Sequence, residues 1–186
     1  ALGDTGVEDG AGLTAARTRH ILTILLVSLA GLLLEVGYTR IISFKLWYYY
    51  TYLVLGLALL GIGSGGIFVV VWPRLRRAAT DTVVTVCALA GAVSIAVGYL
   101  VVARLPIDSL QIWDYGTKAS FKNLGVLALV CFTLFASFIA IGIIVATLLG
   151  RADDRLGRFY FADLMGAGLG AALAIPLIWA LGPPQV

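Results

Sequence analysis

The amino-acid sequence predicts an all-α integral membrane protein, a bundle of about five transmembrane helices, and three observations carry this prediction. Hydrophobic residues make up 61% of the 186 residues and charged residues only 12%, with a mean hydropathy of +1.02; roughly a quarter of the residues of a soluble domain are charged. Five apolar runs are long enough to cross a hydrocarbon layer of roughly 30 Å. Arginines and aromatic residues collect at the ends of these runs, as expected at membrane interfaces.

The chain divides into a short N-terminal segment and one transmembrane domain. Residues 1–20 are Gly-rich at first, mildly acidic and without apolar periodicity, so we expect a mobile tail. The acidic start also differs from the basic start of a signal peptide. The transmembrane domain covers residues 21–186. Its predicted spans are 21–44, 47–72, 82–102, 124–149 and 159–181.

The connections between spans also carry predictions. Aromatic residues at 47–52 and Trp72 flank the second span and are expected at the two membrane interfaces. The longest connection, 103–123, mixes aromatic and charged residues, which is typical of an interfacial loop or a short surface helix. The odd number of spans and the uncharged end at 182–186 suggest an interruption of a longer chain.

The distribution of basic residues predicts the orientation in the membrane. Alternating spans place eight of the thirteen Lys and Arg residues on the side of the N-terminus and five on the other. The positive-inside rule then favours a cytoplasmic N-terminus. The formal net charge of +3 comes from these edge residues, so anionic lipid headgroups are expected partners and nucleic acid is not.

The first predicted span carries a carboxylate, Glu35, inside its apolar run. An isolated carboxylate at such depth costs at least ~2.5 kcal/mol on insertion scales, so Glu35 should face protein, water or a partner rather than lipid. Two interpretations stay open. In the first, Glu35 pairs with Arg40 or caps a neighbouring helix. In the second, Glu35 lies on a substrate or ion pathway together with Tyr38, Thr39 and Arg40.

Glycine pairs predict where helices pack closely. Gly61 and Gly65 form a G-x-x-x-G pair in the second span. Residues 61–66 also match G-x-G-x-x-G by letter, but a nucleotide-binding loop follows a strand and opens a helix, whereas this stretch lies inside one apolar run. We expect the first, second and fifth spans to pack together. The glycines expected at their contacts are Gly31, Gly61, Gly65, Gly66, Gly166 and Gly170.

The fifth span also contains a carboxylate, Asp163, which precedes the second G-x-x-x-G pair. A small-residue face beside a carboxylate suits tight packing next to a polar pocket. The alternative interpretation is a carboxylate near a helix start that the helix dipole stabilises. The predicted topology places Glu35 toward the outer half of the membrane and Asp163 near the inner interface, so the two carboxylates need not touch and are candidates for two points on one route.

The sequence offers little for metal binding or catalysis. The single histidine, His20, has no partners at metal-ligand spacing. The serines lack a His or Lys arrangement for nucleophilic catalysis. Cys87 and Cys131 lie in apolar runs, where a cysteine usually acts as a small buried hydrophobe. We therefore expect no metal, no cofactor and no catalytic residue in this chain.

Two segments resemble the N-terminal membrane domain of bacterial spermidine-synthase-like proteins. The first is LLLEVGYTRIISFKLWYYYTYLVLGLALLGIGSGG, with an E-x-x-x-T-R motif at Glu35, Thr39 and Arg40; the second is RFYFADLMGAGLGAALAIPLIWALGPP, around Asp163. Together they cover about a third of the chain. In that family the membrane helices usually precede a soluble aminopropyltransferase domain that uses decarboxylated S-adenosylmethionine and a polyamine. This chain contains no such domain, so the resemblance carries over no catalytic residue.

Three functional hypotheses follow. The resemblance favours a non-catalytic membrane module that supports a separate catalytic part or delivers substrate to it. The intramembrane carboxylates favour a transporter-like unit for a cationic small molecule such as a polyamine. The glycine faces and aromatic residues fit an accessory subunit that packs within a larger membrane protein complex.

Overall fold

The structure, a computed structural model, describes residues 5–46, 51–104, 118–152 and 155–181. These residues form six helices and no strand. The helices are α1 (Thr5–Leu46), α2 (Thr51–Val71), α3 (Pro73–Arg77), α4 (Thr80–Arg104), α5 (Lys118–Gly150) and α6 (Leu156–Leu181). All except α3 are long and apolar enough to cross a membrane. The prediction of an all-α membrane bundle with five spans is therefore confirmed.

The helix bounds follow the predicted spans with small shifts. The apolar segments of spanning length are Thr18–Ser43, Thr51–Val71, Thr80–Val101, Asn123–Gly150 and Leu156–Ala180. The short helix α3, which the sequence did not predict, begins with Pro73 at its first position, where the fixed proline φ suits a helix start. Three predictions lie outside the described residues: the interfacial position of residues 47–50, the connection over 105–117 and the chain end at 182–186.

The N-terminal segment differs from the expected tail because α1 already begins at Thr5. Most of residues 1–20 therefore belong to the first helix rather than to an irregular segment. A helix is costly to nucleate and cheap to extend, so a stable span can continue as helix into a segment that would not form one alone.

Helix α5 lies at the centre of the bundle. In its most apolar stretch 44% of the residues are buried, against 17–22% in the other four spans. It packs against α2 and α4 along most of its length and also contacts α1, while α6 packs mainly against α1. The bundle thus consists of a three-helix layer, α2–α5–α4, and a pair, α1–α6, joined where α1 meets both α5 and α2.

Glycines allow the backbones of α2 and α5 to approach closely. A Cβ atom added at Gly65 would lie 2.7 Å from both the Ile139 carbonyl oxygen and the Ile143 nitrogen. On the facing helix, a Cβ at Gly142 would lie 2.5 Å from the Ile62 carbonyl oxygen. At Gly61 it would lie 2.5 Å from the Phe138 Cβ. No side chain larger than hydrogen fits at these positions without movement of the helices.

Glycines also allow the backbone of α6 to approach that of α1 closely. A Cβ at Gly166 would collide with the Leu25 carbonyl oxygen, and one at Gly170 would lie 2.6 Å from the Leu29 carbonyl oxygen. The expectation that the first, second and fifth spans share one glycine-mediated contact is therefore wrong for the second span. The glycines of α2 face α5, because Gly142 supplies the small residue on the opposite helix that such an approach requires.

The two remaining glycines of the predicted set make ordinary contacts. A Cβ at Gly31 would lie 3.6 Å from the Ile141 side chain, and one at Gly66 would lie 4.0 Å from the Ala146 Cβ. Both distances correspond to van der Waals contact, so neither position requires glycine for space. Gly31 nevertheless lies at the junction of α1 with α5, where the two layers meet.

Polar side chains at one end of the bundle connect α1, α3, α4 and the end of α5. Asp81, in the first turn of α4, pairs with Arg19 and lies 2.8 Å from His20 Nε2, so it connects α4 with α1. Arg151 follows α5 and donates hydrogen bonds to the Thr80 hydroxyl at 2.7 Å and to the Leu75 carbonyl oxygen at 3.0 Å. These contacts hold α3 and the start of α4 against the ends of α1 and α5.

Candidate functional site

The inward face of α1 follows a regular spacing of four and three residues. This face, the α1 stripe, consists of Ile24, Ser28, Gly31, Glu35, Tyr38 and Ile42. All of these are buried except Glu35, which is half-buried. Because this spacing keeps residues on one side of a helix, Glu35 lies on the side of α1 that packs into the bundle. The expectation that the carboxylate faces protein rather than lipid agrees with this placement.

Arg40 lies on a different side of α1 from Glu35. Five residues of helix separate them, which corresponds to about 140° around the helix axis. Arg40 is exposed, whereas Glu35 is half-buried. The interpretation that Glu35 pairs with Arg40 stays a prediction. Thr39, four residues from Glu35 and half-buried, lies much closer to the same face.

Tyr38 connects the α1 stripe to α4. Its side chain is 4% exposed, and its hydroxyl donates a hydrogen bond of 3.3 Å to the Ile95 carbonyl oxygen. The hydroxyl rests over Gly98, where an added Cβ would lie 2.8 Å from it. Gly98 thus makes room for the phenol, and Tyr38 serves as a structural contact between two spans.

Asp163 also faces α1. The Ser28 hydroxyl donates a hydrogen bond to the Asp163 carboxylate across the α1–α6 contact. Asp163 is the eighth residue of α6, which begins at Leu156. The helix dipole acts mainly within the first turn, so the interpretation of Asp163 as a helix-start carboxylate is not favoured. Ala162 and Gly166, on either side, are buried and bring the α6 backbone close to α1.

The two carboxylates therefore lie at two depths beside the same face of α1: Glu35 is on that face, and Asp163 is on α6 opposite Ser28. Ser28, which bonds Asp163, precedes Glu35 by seven residues, or about 10.5 Å along the helix axis. Gly31 lies between them and leaves that part of the stripe without a side chain. Carboxylates are hydrogen-bond acceptors when ionised, so this face offers two separated points that attract cations or protonated amines.

Further polar groups line α5, and most of them are satisfied locally. The Thr133 hydroxyl donates to the Val130 carbonyl oxygen at 2.9 Å, and the Ser137 hydroxyl donates to the Thr133 carbonyl oxygen at 2.9 Å. Ser94 of α4 donates to the same Thr133 carbonyl oxygen at 3.0 Å. The Thr147 hydroxyl differs, because it is buried without a hydrogen-bond partner among the described residues.

Ser28 and Thr147 are not among the residues predicted from the sequence. Ser28 lies seven residues before Glu35, a spacing that places two polar residues on one helix face and that a search for polar pairs inside apolar runs would have found. Thr147 carries no such signal, since a threonine in a membrane helix usually bonds to its own backbone.

The structure brings together no group of three metal-binding side chains within its described ranges. In the part of the chain that the structure describes, His20 contacts the carboxylate of Asp81. Cys87 and Cys131 are free, half-buried thiols on α4 and α5.

Comparison with known protein families, curated protein sequences and solved structures finds no match. Fold and site define the class: an all-α, multi-pass membrane protein with one carboxylate, Glu35, on the inward face of α1 and another, Asp163 of α6, bonded to that face.

Proposed function

We propose that this protein is a non-catalytic membrane module that binds a cationic small molecule of the polyamine class on the α1 stripe. The module would support a separate catalytic part, or deliver substrate to it, in a bacterial inner membrane. One observation carries the proposal. Glu35 lies on the inward face of α1, and Asp163 of α6 bonds to the same face through Ser28 at a different depth. The resemblance of the segments around them to spermidine-synthase-like proteins supplies the substrate class.

The cost of burying carboxylates supports a binding role. An acidic residue inside a membrane span is costly and usually marks a substrate or ion pathway. Ser28 offsets part of this cost for Asp163 by hydrogen bonding. A protonated amine would supply a positive charge that complements a carboxylate at this depth.

The position of the basic residues at one end of the bundle fits the same proposal. Arg74, Arg76, Arg77, Arg151, Arg155 and Arg158 all lie at the end where Asp81 contacts Arg19. The positive-inside rule makes this end cytoplasmic. Asp163 lies nearer to this end than Glu35 does, so a cytoplasmic cation would meet Asp163 first.

The proposal is tested by equilibrium binding of radiolabelled spermidine to the protein in nanodiscs. Loss of one ionic contact weakens binding about tenfold or more, so we expect this effect for Glu35→Gln and for Asp163→Asn. Asp81→Asn is the matched control, because it removes a carboxylate from the exposed end and should leave the affinity unchanged. Unaltered affinity of the Glu35 and Asp163 variants, or the absence of saturable binding to the wild type, would overturn the proposal.

A transporter-like unit is the second candidate, favoured by the two depths of the carboxylates. It predicts uptake of spermidine into proteoliposomes that depends on Glu35 and Asp163. Binding without uptake would instead favour delivery to a catalytic part. The accessory-subunit hypothesis stays a prediction, and stable purification of the protein as a monomer without companions would count against it.

A further inference from the structure

The two spans that α3 connects keep this short helix at the membrane surface. The apolar span of α2 ends at Val71 and that of α4 begins at Thr80, so residues 72–79 form the whole connection. Trp72 stacks on Phe68, with 5.9 Å between the ring centroids, and is 47% exposed. Tryptophan is enriched at the headgroup level of a bilayer. Helix α3, which follows Trp72 directly, therefore lies in the headgroup layer.

Helix α3 has one face toward the bundle and one face away from it. Leu75 is half-buried, whereas Arg74, Arg76 and Arg77 are exposed. Each residue turns an α-helix by about 100°, so the three arginines lie about 100°, 100° and 160° around the axis from Leu75. Their guanidinium groups therefore extend from the side of α3 that the bundle leaves uncovered.

Arg151 fixes this orientation of α3. It donates hydrogen bonds to the Leu75 carbonyl oxygen at 3.0 Å, to the Arg76 carbonyl oxygen at 3.2 Å and to the Thr80 hydroxyl at 2.7 Å. The last carbonyl groups of a helix have no partner within it, so Arg151 satisfies two of them. Arg151 thus acts as a structural contact, and the arginines of α3 are held on the opposite side.

No ion pair in the described part of the chain neutralises the arginines of α3. Asp81, the first carboxylate after α3 along the chain, pairs with Arg19 and contacts His20 instead. The link between α5 and α6 is also basic, but its sequence contains two aspartates beside its arginines. Three positive charges within residues 74–77 therefore face the headgroup layer.

We propose that α3 is a binding site for anionic phospholipid headgroups, whose phosphates bind Arg74, Arg76 and Arg77. Guanidinium groups bind phosphate oxygens in a bidentate manner, and anionic lipids attract basic residues beside a span. The bilayer supplies this partner at the level of α3. The net charge of the chain indicates headgroup contacts at the span ends in general, whereas the geometry assigns them to one helix and gives Arg151 a different role. The site does not involve Glu35 or Asp163, so it is independent of the proposed cation binding.

The proposal is tested by native mass spectrometry of the protein in detergent. The protein is titrated with phosphatidylglycerol or with phosphatidylcholine of the same acyl chains, and the dissociation constant of the first bound lipid is measured. Wild type should bind phosphatidylglycerol more tightly, since each arginine strengthens binding of an anionic lipid about fivefold. Arg74→Gln, Arg76→Gln and Arg77→Gln together should therefore weaken phosphatidylglycerol binding about 100-fold. Equal affinities of the wild type for the two lipids would overturn the proposal.

Two further triple variants serve as matched controls. Arg→Lys changes at the same three positions keep the charge and should retain most of the preference for phosphatidylglycerol. Arg104→Gln, Lys118→Gln and Lys122→Gln together remove three charges where α4 ends and α5 begins, at the opposite end of the bundle, and should leave the dissociation constant unchanged. An equal loss in this control, or unchanged affinity in the glutamine variant of α3, would overturn the proposal.

A competition experiment distinguishes a lipid headgroup from free phosphate. Inorganic phosphate, added at constant ionic strength, should not displace phosphatidylglycerol from the wild type, because only the lipid is also held by the apolar surface of the spans. Displacement by inorganic phosphate would overturn the assignment to a lipid. This experiment and the comparison of the two lipids need no variant, so they test the proposal even if a substitution prevents folding.

Discussion

The contact between α2 and α5 can be tested directly, because α2 carries two glycines that are two residues apart. One of them faces the α5 backbone, and the other has open space around it. A Cβ at Gly65 would lie 2.7 Å from the backbone of α5, whereas a Cβ at Gly63 would meet nothing within 4 Å. The obstructing atoms at Gly65 belong to the backbone of Ile139 and Ile143, so a rotamer change cannot relieve the overlap. Gly65→Ala must therefore push the two helices apart, and Gly63→Ala must not.

The expected difference in the free energy of unfolding between the two variants follows from two terms. Replacing glycine by alanine inside a helix gains about 0.5–1 kcal/mol in both variants, because glycine loses more backbone freedom on folding. Overpacking at a close contact costs typically about 1–3 kcal/mol, and only Gly65→Ala incurs it. The propensity gain cancels in the comparison, so the two variants should differ by about 1–3 kcal/mol. For a chain of this length, that difference corresponds to roughly 2–12 °C in the unfolding midpoint.

The assay is thermal unfolding of both variants in one detergent, followed by circular dichroism. Because unfolding of membrane proteins is often irreversible, apparent midpoints are compared at one scan rate. Gly63→Ala should melt at or above the wild-type midpoint, and Gly65→Ala should melt below Gly63→Ala. Equal midpoints for the two alanine variants would refute the close approach of α2 and α5 at Gly65.

Three other predictions concern different contacts. Gly170→Leu should reduce expression and the unfolding midpoint more than Cys87→Ala, because only the former forces a side chain onto the α1 backbone; similar midpoints would contradict the α1–α6 packing. Thr147→Val should raise the unfolding midpoint or leave it unchanged, because it removes a buried hydroxyl that has no partner among the described residues. Ser137→Ala should lower the midpoint, because it removes a hydrogen bond. A clearly lower midpoint for Thr147→Val would contradict the absence of a partner for this hydroxyl. Arg151→Met should lower the free energy of unfolding by about 1 kcal/mol, because it removes the hydrogen bonds to Thr80 and to the carbonyl oxygens of α3. The same thermal assay measures this effect. A midpoint equal to that of the wild type would show that solvent replaces these bonds.

The spans and their approximate bounds could be predicted from the sequence because they depend on local properties. An apolar run of sufficient length must form a helix in lipid, since only internal hydrogen bonds satisfy its backbone. The position of Glu35 within such a run likewise indicated that it faces protein. The cost of exposing a carboxylate to lipid does not depend on which helix lies opposite.

The partners of each helix depended on tertiary structure. In a membrane, lipid-facing and protein-facing surfaces are both apolar, so the hydrophobic pattern of α2 does not reveal its neighbour. Its glycines could have faced α1, but Gly61 and Gly65 face α5, where Gly142 allows the backbones to approach. The extension of α1 to Thr5 also depended on context, because it continues a span that the membrane stabilises.

The sequence by itself determined that this protein is a five-span helical bundle with two intramembrane carboxylates, since composition and run length decide this without reference to packing. The tertiary structure decided that Ser28 of α1 bonds Asp163 of α6, that Glu35 lies on the same inward side of α1 as Ser28, and that Arg40 is exposed on another side of that helix. These relations join residues far apart in the chain or on different sides of one helix. Only the packing of α1 against α5 and α6 distinguishes its inward side from its lipid-facing side.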